Sequence, residues 1–291
     1  MNVTVLHYDV FTETPGHGNP AGVVLQADHL THQQMQSIAH VAGFTETTFV
    51  QRSSNATWRM RYFAPGKEMN LCGHGTIAAL TALEQASQIP QTFTVNTQAG
   101  ILEGKQVALK TRFRLRQGSP RIVPFQGAVR PILVTIGLDI KHLDDRLPIV
   151  YGNTGNWTLI LPIRRLMDFK RMRPDNEQFQ QVLTAFPTAS VHPICLETYH
   201  TAHLHGRHFS ASGAGTVEDP VTGTACGVMG VYHRLFIDPL STEIIRIEQG
   251  HEMNRPGTVD ILVSGTDSDP SQWQVEMEGG SIFVGARYIT I

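Results

Sequence analysis

The sequence predicts an α+β protein made of two similar halves. Three observations carry this. First, Glu218-Asp219-Pro220-Val221-Thr222-Gly223-Thr224 leads into an apolar run from Ala225 to Tyr232. An earlier stretch, from Glu68 through Asn70-Leu71-Cys72-Gly73-His74-Gly75-Thr76, leads into Ile77 to Leu80 in the same way. Second, each loop follows a short strand of like composition, Arg61-Tyr62-Phe63-Ala64 and Arg207-His208-Phe209-Ser210. Phe63 answers Phe209, Gly73 answers Gly223, and Cys72 answers Thr222. Third, the segments upstream repeat in order. Gly18-Asn19 and Gly155-Asn156 each precede a strand, and Gln33 to Ile38 is echoed by Glu177 to Val182, which sets Glu46 against Ser190. Four matches in one order argue for an internal duplication.

Taken along the chain, Val3 to Val10 alternates as a strand does. Residues 14–20 are a loop rich in turn formers, and Ala21 to Leu25 is a short strand. Asp28 to Thr31 caps a helix, with Thr31 and Gln34 as a capping box and Met35, Ile38 and Ala39 on its apolar stripe. Gly43 ends it. Phe44 to Val50 is β-branched and aromatic, hence a strand. Each glycine loop feeds a helix whose first N–H groups lack partners and sit at the positive end of the dipole, a place suited to a carboxylate or phosphate. The run after Gly223 is apolar on nearly all sides, so that helix should be buried all round. Arg112 to Arg116 alternates with Phe113 and Leu115 as a strand with one wet face. Residues 118–131, with Pro120, Pro124 and Pro131, read as the crossover between halves. Gly257 to Ser264, Gln272 to Met277 and Ser281 to Ile291 are further strands, and the last must pair with a sheet.

With 291 residues, 41% hydrophobic, the chain can build two medium domains or one large one. A net charge of −2 and no basic block argue against nucleic acid as a partner. No apolar run is long enough to cross a bilayer, and no secretory signal precedes the first strand. Three cysteines, Cys72, Cys195 and Cys226, make neither a disulfide framework nor a C-x-x-C metal pattern, so a reducing cytoplasm is expected. His200, His203, His205 and His208 invite a metal reading, but no Asp or Glu at ligand spacing accompanies them, and no metal is expected. Neither G-x-G-x-x-G nor a P-loop occurs in its proper context, so no cofactor is expected.

The order Gly-Asn-Pro-Ala-Gly-Val-Val at 18–24, Thr45-Glu46-Thr47-Thr48, Phe63-Ala64-Pro65, Cys72-Gly73-His74-Gly75-Thr76, Glu218-Asp219-Pro220-Val221-Thr222-Gly223 and Gln249-Gly250 resembles the PhzF-like (phenazine biosynthesis-like) isomerase family over the whole chain. The resemblance implies the diaminopimelate epimerase-like fold: two α+β domains, each a curved sheet wrapped around a central helix, with the active site between the lobes. The N-terminal lobe would be 1–118 plus the closing strand 281–291, and the C-terminal lobe 119–280.

It also implies the chemistry. Read alone, Glu46 could be a solvated acid at a strand end. The resemblance makes it the proton carrier, since a carboxyl group withdrawn from water holds a proton that it can take from one carbon and return to another. His74 would donate to substrate or relay a proton; its plain alternative is a helix-terminal ring bonded to backbone. Asp219 would assist, or else cap its helix. Gly73, Gly75, Thr76, Thr222, Gly223 and Thr224 would bind the substrate carboxylate, with backbone N–H groups stabilising developing charge. Thr45 and Cys72 are secondary candidates. Cys72 occupies the place of one thiol of the two-thiol racemases of this fold, but its mate is Thr222, too weak an acid to replace a thiolate.

The expected function is a cofactor-independent isomerase acting on a small cyclic or unsaturated carboxylic acid. A racemase or epimerase of an amino or hydroxy acid, and a non-catalytic binding protein of the same fold, remain as alternatives. A homodimer is the default assembly.

Overall fold

The computed structural model describes residues 1–87, 89–107, 111–240, 244–266 and 268–291. The chain divides into two compact units, Met1–Arg116 with Glu278–Ile291, and Gln117–Met277. The sequence reading placed these divisions at 118/119 and 280/281.

The first unit runs β1 (Asn2–Val10), β2 (Asn19–Val24), α1 (His32–Ala42), β3 (Glu46–Gln51), β4 (Trp58–Phe63), β5 (Glu68–Met69), α2 (Gly73–Ala86), β6 (Thr92–Thr97), β7 (Gly100–Gln106) and β8 (Arg112–Arg116). β1 and β2 form a hairpin that keeps pairing down to Val10 opposite Asn19, so the second strand starts two residues before the expected Ala21. α1 has the expected capping box: Gln34 N–H donates to Thr31 Oγ1 at 3.3 Å and Thr31 N–H to Gln34 Oε1 at 2.9 Å. Gly43 ends it at φ 67°, a conformation open to glycine at no steric cost. Its buried stripe, Met35, Ile38, Ala39 and Ala42, packs with Phe49 and Phe63.

The second unit contains β9 (Arg121–Pro124), α3 (Val129–Thr135), β10 (Val150–Asn153), β11 (Trp157–Pro162), α4 (Phe179–Val182), β12 (Ser190–Cys195), β13 (Leu204–Gly206), β14 (His208–Phe209), β15 (Glu218–Asp219), α5 (Gly223–Phe236), β16 (Ile245–Gln249) and β17 (Gly257–Ser264). The stretch expected to be a plain crossover therefore carries a strand, with Pro124 opposite Val150 at its end. Proline lacks an N–H to donate but still fits an edge or terminal position. The segment echoing α1 shrinks to the single turn of α4.

β18 (Gln274–Thr290) closes the chain. Two strands were expected here, and one forms. The stretch between them is bonded too: Gly280 O accepts the Phe11 N–H at 2.8 Å, and Gly279 leaves room for the Phe11 ring, which lies 2.4 Å from where a Cβ would be. β18 pairs antiparallel with β1 from Asn2 opposite Thr290 to Val10 opposite Ser281. It also pairs with β8, where Glu278 accepts from Arg112 Nε at 3.1 Å and Arg114 Nη2 at 2.7 Å.

The first unit's strands thus make a closed circuit, β1–β2–β3–β4–β6–β7–β8–β18, with β2–β3 and β4–β6 parallel. α2 fills it. Every residue from His74 to Ala82 is buried, as a helix apolar on all sides requires. α5 is buried nearly as completely in its own unit, where a Cβ on Gly152 of β10 would lie 2.1 Å from Val228.

The two units repeat one pattern in detail. β2–β3 and β11–β12 are parallel pairs. Thr47 faces Phe63 as Val191 faces Phe209. Arg61 forks onto Glu68 at 2.7 and 2.8 Å, and Arg207 onto Glu218 at 2.8 and 2.6 Å. Each guanidinium also lies over its own phenylalanine, Phe63 or Phe209. Matched pairing, ion pairs and helix starts give the duplication a structural basis. Among the described residues, no helix is long and apolar enough to cross a membrane.

Candidate active site

In the first unit the start of α2 meets the heads of β2 and β3. The parallel register sets Glu46, first residue of β3, beside Ala21 of β2. Cys72 is the N-cap of α2, and its Sγ accepts the Gly75 N–H at 3.2 Å. That close turn needs glycine, because a Cβ on Gly75 would lie 2.5 Å from Thr48 Oγ1 and 3.1 Å from Cys72 Sγ. The turn carries His74 inward to 7% exposure.

His74 is the hub. Its Nε2 lies 3.0 Å from Glu46 Oε2, its Nδ1 lies 3.4 Å from Asn19 Nδ2, and Cys72 Sγ sits 3.5 and 3.6 Å from its two ring nitrogens. Glu46 Oε2 is buried and takes no aligned hydrogen bond among the described residues, so the imidazole is its ionic neighbour. Burial opposes charging of the His74 ring. The acidic groups beside it, Cys72 and Glu46, outweigh that cost and hold its pKa well above the usual histidine value. Burial also raises the Cys72 thiol, and the imidazole offsets this only in part.

Asn19 is the residue that sequence reasoning missed. It is fully buried, and its amide can turn either its NH₂ or its carbonyl toward Nδ1, serving both protonation states of the ring. The signal was the Gly-Asn dipeptide shared by both halves, which marked a repeat without giving it a role. The remaining first-loop residues sit close by. Gly73 and Thr45 are half-buried, while Thr76 is fully buried with its hydroxyl bonded to Cys72 O and Tyr62 Oη, each at 2.7 Å.

The second unit's loop has the same frame and different chemistry. The Thr222 hydroxyl bonds the Asp219 carboxylate, and both residues are half-buried. Gln249, 1% exposed, braces the loop: its Oε1 accepts Thr222 N–H at 3.3 Å and its Nε2 donates to Asp219 O at 2.8 Å. The carbonyls of Gly223 and Thr224 accept from Gln117 Nε2 and Thr154 Oγ1, each at 2.9 Å. Cys226 is fully buried, its thiol pKa raised by burial. Ser190, at the place of Glu46, donates to Thr158 Oγ1 at 2.7 Å. An acid and an imidazole head the first loop, whereas alcohols stand at the matching places of the second.

Two further histidine clusters lie in the second unit. His192 Nδ1 and His208 Nδ1 are 3.2 Å apart, and burial lowers the pKa of both, His208 to about 4. His205 is fully buried with Glu248 Oε1 3.2 Å from Nδ1 and Glu252 Oε2 3.3 Å from Nε2. The sequence reading found no acid at ligand spacing from His205, because these come from β16 and the turn after it.

Comparison with known proteins agrees with this architecture. The family model described as phenazine biosynthesis-like protein matches residues 8–287. An uncharacterized isomerase of Bacillus subtilis, YfhB, is 44% identical over 292 residues, covering 99% of this chain and 98% of the relative. A crystal structure of a Bacillus anthracis phenazine biosynthesis protein of the PhzF family superposes with a TM-score of 0.94 at 44% identity, over 100% of both chains. The trans-2,3-dihydro-3-hydroxyanthranilate isomerase of Pseudomonas aeruginosa is 27% identical over 292 residues, 97% of this chain and 98% of its own. A duplicated frame and a full-length match to isomerases place this chain in the phenazine biosynthesis-like PhzF family, as an isomerase of diaminopimelate epimerase-like fold.

Proposed function

We propose that this isomerase moves a proton on a small cyclic or unsaturated carboxylic acid, with Glu46 as the carrier and no cofactor. The Glu46 carboxylate takes a proton from a carbon conjugated to the substrate carboxylate. The electron pair of the broken C–H bond spreads into that conjugated system, and Glu46 returns the proton to another carbon as the double bond shifts. His74 stays protonated beside it, donating to substrate or to Glu46 and offsetting negative charge as it develops. The first N–H groups of α2, at Gly73 and His74, are proposed to receive the carboxylate.

The observation supporting this most directly is the 3.0 Å approach of His74 Nε2 to a buried carboxylate oxygen that accepts no aligned hydrogen bond. Asp219 and the second glycine loop are assigned to the same reaction only as part of this proposal, and Asp219→Asn asks whether that acid takes part. In a screen of carboxylate metabolites in D₂O, the wild-type enzyme should wash deuterium into its substrate. Glu46→Gln should abolish the exchange while still binding, and full exchange by that variant would overturn the assignment.

One observation favours a second reading, a racemase acting through Cys72: its sulfur lies 3.5 Å from His74. Thr222 at the matching position supplies no second thiol. Turnover that survives Cys72→Ser would exclude a Cys72 mechanism.

A further inference from the structure

The His205 cluster has features that the proposed proton transfer does not use. Three potential donors, one each from His205, Glu248 and His251, lie within 4.8 Å of one another. His205 Nδ1 and Glu248 Oε1 are 3.2 Å apart. That is close to the separation of about 3.3 Å between ligand atoms on a tetrahedral ion with bonds of about 2.0–2.1 Å. The far nitrogen of His205 faces the Glu252 carboxylate at 3.3 Å. The pair makes no aligned hydrogen bond, but it stands close enough for the carboxylate–histidine arrangement that fixes the tautomer of a metal-bound ring. Glu248 is itself held by the N–H groups of Tyr199 at 2.6 Å and His200 at 3.1 Å. Both ring nitrogens of His251 are shielded from solvent and have no hydrogen-bond partner among the described residues, although the ring stacks on Tyr199 at 4.4 Å. Buried polar atoms left without partners call for an explanation.

We infer that His205, Glu248 and His251 form a binding site for a divalent transition metal of the zinc or cobalt type, with Glu252 orienting His205. Binding replaces the proton on His205 Nδ1, which leaves to solvent, and no redox step is involved. The role is structural. Glu248 precedes Gln249, the brace of the Asp219 loop, so an ion here stiffens the end of β16 that holds that loop.

Co²⁺ titration of chelator-stripped full-length protein tests the site. One Co²⁺ per chain should bind with the strong visible absorption of a low-coordinate nitrogen–oxygen site and should be displaced by Zn²⁺. His251→Ala should remove the absorption, since that ring is only partly buried and its loss leaves the core intact. Glu252→Gln should weaken binding by about 10–100-fold, as loss of an outer partner does. Cys72→Ser should leave the Co²⁺ absorption unchanged, which separates this site from the Glu46, Cys72 and His74 cluster. Absence of stoichiometric binding, a spectrum unaffected by both His251→Ala and Glu252→Gln, or loss of the signal in Cys72→Ser would each overturn the inference.

Discussion

Arg207 offers a quantitative test of what holds the second glycine loop. Its guanidinium forks onto Glu218 at 2.8 and 2.6 Å, donates to the Phe169 carbonyl at 2.7 Å, and lies 4.8 Å above the Phe209 ring. The pair is nearly enclosed, at 8% and 11% side-chain exposure. Arg207→Met keeps the apolar stem but strands the Glu218 carboxylate and the Phe169 carbonyl. Removing one partner of a buried pair costs about 3–5 kcal/mol. Residual water access to Glu218 favours the lower end, and the orphaned carbonyl adds about 1 kcal/mol. The expected loss is about 4 kcal/mol. Arg207→Met combined with Glu218→Leu should recover much of it, because no buried charge then remains unpaired. Urea unfolding followed by tryptophan fluorescence reads this out in a Trp58→Phe background, where the remaining Trp157 and Trp273 both belong to the second unit. A loss below about 1 kcal/mol, the value of an exposed pair, would refute the account. A double variant no more stable than the single one would do the same.

Other outcomes follow from the same geometry. Glu46→Gln removes one of the groups that hold the His74 pKa up, so that ring should titrate at lower pH by NMR; an unchanged titration curve would deny the pairing. Gly75→Ala drives a methyl toward Thr48 and Cys72, and should cost about 1–3 kcal/mol in urea unfolding together with activity. The His208 ring, lowered to about 4, refuses a proton that the unfolded chain accepts near its ordinary 6.5. Its contribution is therefore intact above the unfolded value and is lost as pH falls from there toward about 4, by at most about 3 kcal/mol. His208→Asn should flatten that slope, and an unaltered slope would show that the ring is not the source.

Much of this molecule was legible in the residues. Thr31, Gln34 and Gly43 mark the two ends of α1 by local bonding alone, so sequence suffices there. The glycine loops announce α2 and α5 because only small residues tolerate those turns, and their apolar runs foretell burial on every side. Local pattern failed where a distant partner decides the outcome. Arg121 to Pro124 becomes a strand because β10 lies ready to pair with it, and nothing inside the proline-rich segment says so. β18 continues through residues 279 and 280, where Gly280 O accepts the N–H of Phe11, a residue remote in sequence. Within the site, Glu46, Cys72 and His74 were visible as types in a motif. Asn19 was hidden because an amide carries no charge signal and its partner lies on another element. The acids around His205 were hidden for the same reason.

β18 also governs the order in which the molecule can assemble. During synthesis at about 5–20 residues per second, β1 and β8 emerge early and must wait for residues 278–290, while all of Gln117–Met277 is made in between. The second unit has every one of its strands in hand before the first can seal its ring. The waiting edges of β1 and β8 are then open ladders, the kind of surface that recruits a wrong neighbour. Truncation or delayed release at the 3′ end of the message should injure the first-made part of the protein more than the last-made part.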